Sequence, residues 1–141
     1  MKHIPFFFAA ATVLLFATAH LRAADVKVIA NDSVGASSIS ADEIKRVFLL
    51  TKNSLDDGSR AEPVLLKGGA AHEAFLREYL GKTDSALQTY YRSLVFTGKA
   101  SMPRTVGSDA EVVSIVVKTK GAIGYVSAGA IAPGTKTLEV K

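Results

Sequence analysis

The stretch that most constrains the chain is Gly121-Ala-Ile-Gly-Tyr-Val126. Ahead of it, Asp109 to Lys118 is an apolar helix candidate, and Gly121 is free to take the left-handed conformation that ends a helix. Ile123, Tyr125 and Val126 favour a strand, and the glycine between them marks a place where another backbone or side chain comes close. A helix therefore stops and a buried central strand begins here. A βαβ-type core follows if earlier strands align beside it.

Val26-Lys-Val-Ile-Ala30 alternates well enough to be the first of those strands, and Asn31-Asp32-Ser33 closes it with turn-forming side chains. Open α/β sheets hold ligands at the C-terminal ends of their strands, which makes Asn31, Asp32 and Ser33 candidates. Capping and turning the chain is the more ordinary use of each. Ser40-Ala-Asp-Glu43 is a capping box with Ile39 and Ile44 as its hydrophobic staple. The helix it starts buries Ile44, Val47 and Phe48, turns Lys45 and Arg46 outward and lasts to Leu50 or close to it. Thr51 to Arg60 is a surface loop turning at Asp57-Gly58, and it lacks the alternating oxygen ligands of a calcium loop.

Pro63 to Leu66 is the second strand, and Lys67-Gly68-Gly69 leads into a helix that reaches Leu80, with Gly81 after it. Strand, glycine turn and helix make an anion-site geometry. The free N–H groups and dipole of the helix attract negative charge, glycine admits a ligand, and Lys67 adds a positive head group. The same residues also serve a plain tight turn, and they match neither a Walker loop nor a dinucleotide fingerprint. His72, the only histidine after Ala24, falls in the first turn, where a surface position is the ordinary expectation.

Ala71, Phe75, Tyr79 and Leu80 form the core face of this helix. A further helix begins at Asp84 or Ser85, with Leu87, Tyr90, Tyr91, Leu94 and Val95 at helical spacing and the tyrosines packing in core and rim. Phe96 to Arg104 reads as loop, and Ser108 to Glu111 as a second capping box. Val112, Val113, Ile115, Val116 and Val117 then make the following helix apolar on most sides and well buried. Ser127 to Ala132 is read as one helical turn, Pro133-Gly134 as a break, and Thr137 to Val140 as a final short strand.

A length of 141 residues suits one domain, and 48% hydrophobic with 21% charged residues supports a real core. With no cysteine there is no disulfide, thiolate metal site, cysteine nucleophile or lipid-modified cysteine. Met1 to Ala24 carries Lys2 and His3, an apolar run from Ile4 to Ala19 and no acid, the pattern of a secretory signal peptide cleaved after Ala19, Ala23 or Ala24. That leaves residues 25–141 as one exported domain with no stable membrane insertion. Its cations are scattered among acids, which argues against nucleic acid and allows a mild attraction for small anions.

Four blocks in order, Ile39-Ser-Ala-Asp-Glu-Ile-Lys-Arg-Val-Phe48, Phe75-Leu-Arg-Glu-Tyr-Leu-Gly81, Phe96-Thr-Gly-Lys99 and Gly121-Ala-Ile-Gly-Tyr-Val126, resemble the phosphate-type periplasmic substrate-binding proteins, in particular their short single-domain relatives. The resemblance implies an α/β fold of three layers, a mixed β-sheet flanked by helices, as in one lobe of a type 2 periplasmic binding protein. It also implies a periplasmic location, a phosphate-like anion as ligand and a link to an ABC transporter. The family's Ser-Gly-Thr-type segment is replaced here by Gly68-Gly-Ala-Ala-His72, its tryptophan after the first helix is absent, and the chain has no room for a second lobe.

The ligand set under this reading is Asn31, Ser33, Lys67, Gly68, Gly69, Ala70, His72 and Ser127, gathered in one depression, with no metal and no cofactor. A membrane permease or a second copy of the chain would be the macromolecular partner. The alternative is a periplasmic accessory or interaction domain that keeps the lobe without the ligand, and it predicts a shallow surface with no convergent donors. An enzyme is disfavoured, since one histidine, no Gly-x-Ser-x-Gly elbow and no spaced metal ligands assemble no nucleophile with its base.

Overall fold

The computed structural model describes residues 26–141, so the expected signal peptide and its cleavage points lie outside the described residues. Strand β5 (Ala122–Ser127) runs inside the sheet, antiparallel to β1 (Val26–Ala30) on one side and parallel to β3 (Glu62–Leu66) on the other. The remaining strands are β2 (Ser38–Ile39), β4 (Arg104–Val106) and β6 (Lys136–Val140), and the sheet order is β2-β6-β1-β5-β3-β4.

Alternation along β5 sets the layers. A Cβ on Gly124 would stand 2.7 Å from Val112 Cγ1 of helix α4 (Asp109–Lys118), so this strand has no room for a side chain on that face. Tyr125 points the other way, and its ring stacks on Phe75 at 3.8 Å and 7°. Phe75 ends α2 (Ala70–Phe75), while α1 (Ala41–Phe48) brings Phe48 to the same cluster, with ring centroids 4.8 Å from Phe75. One helix therefore covers one face, and α1 with α2 covers the other. This is the expected three-layer mixed α/β arrangement, and it explains why β5 is buried almost end to end.

The capping box at Ser40 forms in full, since Glu43 N donates to Ser40 Oγ and Ser40 N to Glu43 Oε2. The box at Ser108 forms by half. Glu111 N donates to Ser108 Oγ, but the Glu111 carboxylate accepts from Gly107 N instead of Ser108 N. The helix from Ala70 widens into a π-helical stretch, Leu76–Leu80, closed by Gly81 in the left-handed conformation and its N–H to Leu76 O. Helix α1 stops at Phe48, two residues short of the expected Leu50.

Several expectations fail where neighbours outweigh local signal. Arg104 to Val106 is a strand and not loop, because β3 recruits it as a parallel edge. β2 likewise exists only through β6. Ser127 to Ala132 makes no helical turn; a single bond from Ala130 N to Ser127 O reverses the chain. Helix α4 buries Val112, Val113 and Val116 but leaves Val117 exposed, since the sheet meets one side of it only. Helix α3 (Asp84–Phe96) buries Leu87 and Tyr91, whereas Val95 is exposed despite its spacing.

Candidate functional site

The segment singled out as an anion cradle begins where β3 ends. Lys67 N donates to Val106 O, the chain leaves the sheet through Gly68, and Gly69 takes φ 95°, a conformation that glycine adopts without steric penalty. Gly69 is the N-cap of α2 and offers no capping side chain. The first-turn N–H groups of a helix have no partner within it, and Gly68 N and Gly69 N have no protein acceptor among the described residues. Lys67, Gly68, Gly69 and Ala70 are all exposed, and a Cβ at Gly68 or Gly69 would meet nothing within 4 Å. The donors are free and face solvent.

Ser127 reaches the same end of the sheet, because the parallel register that sets Val64 against Gly124 carries the C-termini of β3 and β5 together. Its N–H already donates to Asp109 Oδ2 at 3.3 Å. With Asp109 and Glu111 in the first turn of α4, this flank carries carboxylates that oppose an anion beside Ser127.

Asn31 and Ser33 do not join them. β1 is antiparallel to β5, pairing Val26 with Ser127 and Ala30 with Ile123, so Asn31 and Ser33 follow β1 at the opposite end of the sheet. The expected rule about C-terminal strand ends fails here because β1 runs the other way. Both side chains are engaged in holding the fold. Asn31 Nδ2 donates to Val116 O at 2.7 Å and Val117 O at 3.0 Å, Asn31 Oδ1 accepts from Ser33 N, and Ser33 Oγ accepts from Gly121 N. Together they tie the end of β1 to the connection from α4 into β5. Asp32, between them, is exposed.

His72 is not on the surface; it is 1% exposed. Its Nδ1 lies 2.5 Å from Tyr125 Oη and its Nε2 2.7 Å from Asp84 Oδ1. Leu66 N donates to the same tyrosine oxygen. The tyrosine proton is thereby directed to Nδ1, and the imidazole N–H on Nε2 donates to Asp84. The His72 ring nitrogens and the Tyr125 hydroxyl are all engaged within the line and not left to meet a ligand, whereas Asp84, at its outer end, is exposed. Burial raises the Tyr125 phenol well above its ordinary range, so it stays a hydroxyl. Sequence spacing held no signal for this line, since Tyr125 and Asp84 are 53 and 12 residues from His72.

The three main grooves lie elsewhere than the expected depression. A groove of about 540 Å³ is lined by Glu73, Leu76, Arg77 and Gly81 to Asp84. Others lie at Asn53 to Pro63 and beside Val26, Tyr79 and Leu138. None of the three is lined by Lys67, Gly68, Gly69, Ala70 or Ser127. The tyrosine pair also serves packing: Tyr90 and Tyr91 donate to Leu49 O and Phe48 O, both at 2.6 Å. Among the described residues no group of acidic and histidine side chains is arranged to hold a metal, and no helix is long and apolar enough to cross a membrane.

No protein-family profile and no curated protein sequence matches the chain. Solved structures do. A Clostridium perfringens protein, described as a phosphate ABC transporter substrate-binding protein and solved with bound phosphate, superposes with a TM-score of 0.63 at 13% identity over 82% of this chain and 44% of that one. An ABC-type phosphate transport receptor from Vibrio cholerae gives 0.54 at 12% identity, covering 82% and 45%. PstS from Borrelia burgdorferi gives 0.54 at 13%, covering 82% and 47%. The chain thus spans less than half the length of each of these proteins, and at such identities the likeness is one of fold.

Proposed function

We propose that the chain is an exported solute-binding-protein-like domain that binds phosphate or a similar oxyanion at Lys67 to Ala70, on the side away from the carboxylates beside Ser127. The observation that carries this reading is the run of uncommitted donors, Gly68 N, Gly69 N and the first turn of α2, next in the chain to the exposed Lys67 at the C-terminal end of β3. Such an edge suits a small anion and little else, since it offers donors, positive charge and no apolar wall. Support comes also from a fold shared with proteins described as phosphate receptors. A membrane permease is the partner this reading implies.

Because the cradle is open to water, the affinity is expected to be on the order of millimolar. Calorimetric titration with phosphate and with sulfate tests it. Heat should appear with the native chain and shrink with Lys67→Ala. It should vanish with Gly68→Asp, which sets a carboxylate in the cradle where a side chain has open space. A second reading, an accessory domain without ligand, is favoured by the exposure of Lys67 to Ala70 and by the placing of the three main grooves away from them. Flat heats at millimolar phosphate and sulfate would establish that reading in place of the first.

A further inference from the structure

Helix α3 is anchored at one end and bare at the other. Leu87 and Tyr91 are buried, and the two tyrosine hydroxyls hold the middle of the helix to the end of α1. The last turn then leaves Val95 42% and Phe96 93% exposed, with Met102 48% exposed on the segment that follows. These are three of the five exposed large hydrophobics among the described residues. The tip is built and not frayed: Thr97 N donates to Ser93 O, Gly98 N to Val95 O, and Lys99 N to Leu94 O, with Gly98 at φ 70°. A well-capped helix end that holds a phenyl ring in water gives up burial the fold does not recover, which marks a contact surface.

Charge identifies what meets it. From Ser85 to Ser108 the only charged residues are Arg92, Lys99 and Arg104, with no acid. Arg92 lies one helical turn before Phe96, on the same side of α3. No carboxylate stands within ion-pair distance of these three cations among the described residues. A second copy docking tip to tip would bring the Arg92 and Lys99 cations of both copies together. A stable protein interface takes about 800 Å² of each partner in a face of matched shape, whereas the apolar part here is the last turn of one helix and Met102 after it. A lipid headgroup layer closes around such a tip, taking apolar side chains to a depth of about 5–10 Å while anionic headgroups meet the cations around them.

We infer that the α3 tip is a peripheral docking point for an anionic lipid surface, with Phe96 entering the headgroup boundary and Arg92 and Lys99, each within about a turn of it, pairing with lipid phosphates. The inference is independent of the anion cradle at Lys67.

The chain has no tryptophan, so Phe96→Trp places a sole indole at the tip, and its emission reports that spot alone whatever else holds the protein to a vesicle. The full chain carrying this substitution is titrated with phosphatidylglycerol–phosphatidylcholine vesicles and with phosphatidylcholine alone. The expected result is a blue shift on the anionic vesicles only, reversed by salt. Each of Arg92→Gln and Lys99→Gln should move the midpoint by about fivefold. Circular dichroism checks that these surface variants stay folded. The inference is overturned by emission that stays at its solvent value, or by an equal shift on neutral vesicles. A shift that grows with protein concentration without lipid, the mark of a second copy, overturns it too, as does a shift produced by polyglutamate and not by vesicles.

Discussion

His72 Nδ1 lies 2.5 Å from Tyr125 Oη, across 53 residues of chain, and that bond joins helix α2 to the central strand inside the core. The same hydroxyl accepts from Leu66 N, so one phenol serves two elements besides its own. Tyr125→Phe keeps the stacked ring on Phe75 but strands a buried amide and a buried imidazole nitrogen. The expected loss is about 2–4 kcal/mol, read from urea unfolding. A variant as stable as the native chain would show that water repairs the line.

Gly124 should resist enlargement. Its added methyl in Gly124→Ala would press on Val112 Cγ1 at 2.7 Å, and overpacking of this kind costs about 1–3 kcal/mol. Val112→Ala alone also destabilises, by opening a cavity in the buried face of α4. The double variant should lose less than the two singles together, since each relieves the other, and a double-mutant cycle measures that coupling. Strict additivity would mean that α4 simply moves away.

Asn31→Ala separates holding the fold from binding. The amide caps the end of α4 through Val116 O and Val117 O and is 8% exposed, so its removal should cost about 1–3 kcal/mol. Any heat of phosphate binding should stay unchanged, because Asn31 lies at the far end of the sheet from Lys67. A variant of native stability that loses phosphate heat would return Asn31 to the ligand set.

Alkali should unfold the protein. Burial raises the phenols of both Tyr91 and Tyr125 above their ordinary value. A group with a raised folded pKa contributes stability that is complete below its unfolded pKa, about 10 for tyrosine, and lost as pH climbs toward the folded value. Above pH of about 10, each tyrosine should therefore remove about 1.4 kcal/mol per pH unit, as the unfolded chain sheds protons first. Urea midpoints taken on either side of that pH check this, and Tyr91→Phe should flatten the slope.

Much of the architecture could be read without coordinates because it is written in local chemistry. The Ser40 box needs only residues three apart, α4 and β5 meet at a glycine, and Gly124 announced its neighbour by lacking a side chain. What failed was of another kind. β4 is a strand because β3 supplies hydrogen bonds to Arg104, Thr105 and Val106, and no preference of those residues decides it. His72 looked exposed because its partners, Tyr125 and Asp84, come from elements that only packing brings together. The ligand set divided because strand direction, which no residue encodes, sends Asn31 and Ser33 to one end of the sheet and Lys67 to the other. Periodicity and capping act within a few residues and so belong to the sequence. Which groups share an edge, and which polar atoms find a partner in the core, depends on contacts made only once the chain has closed on itself.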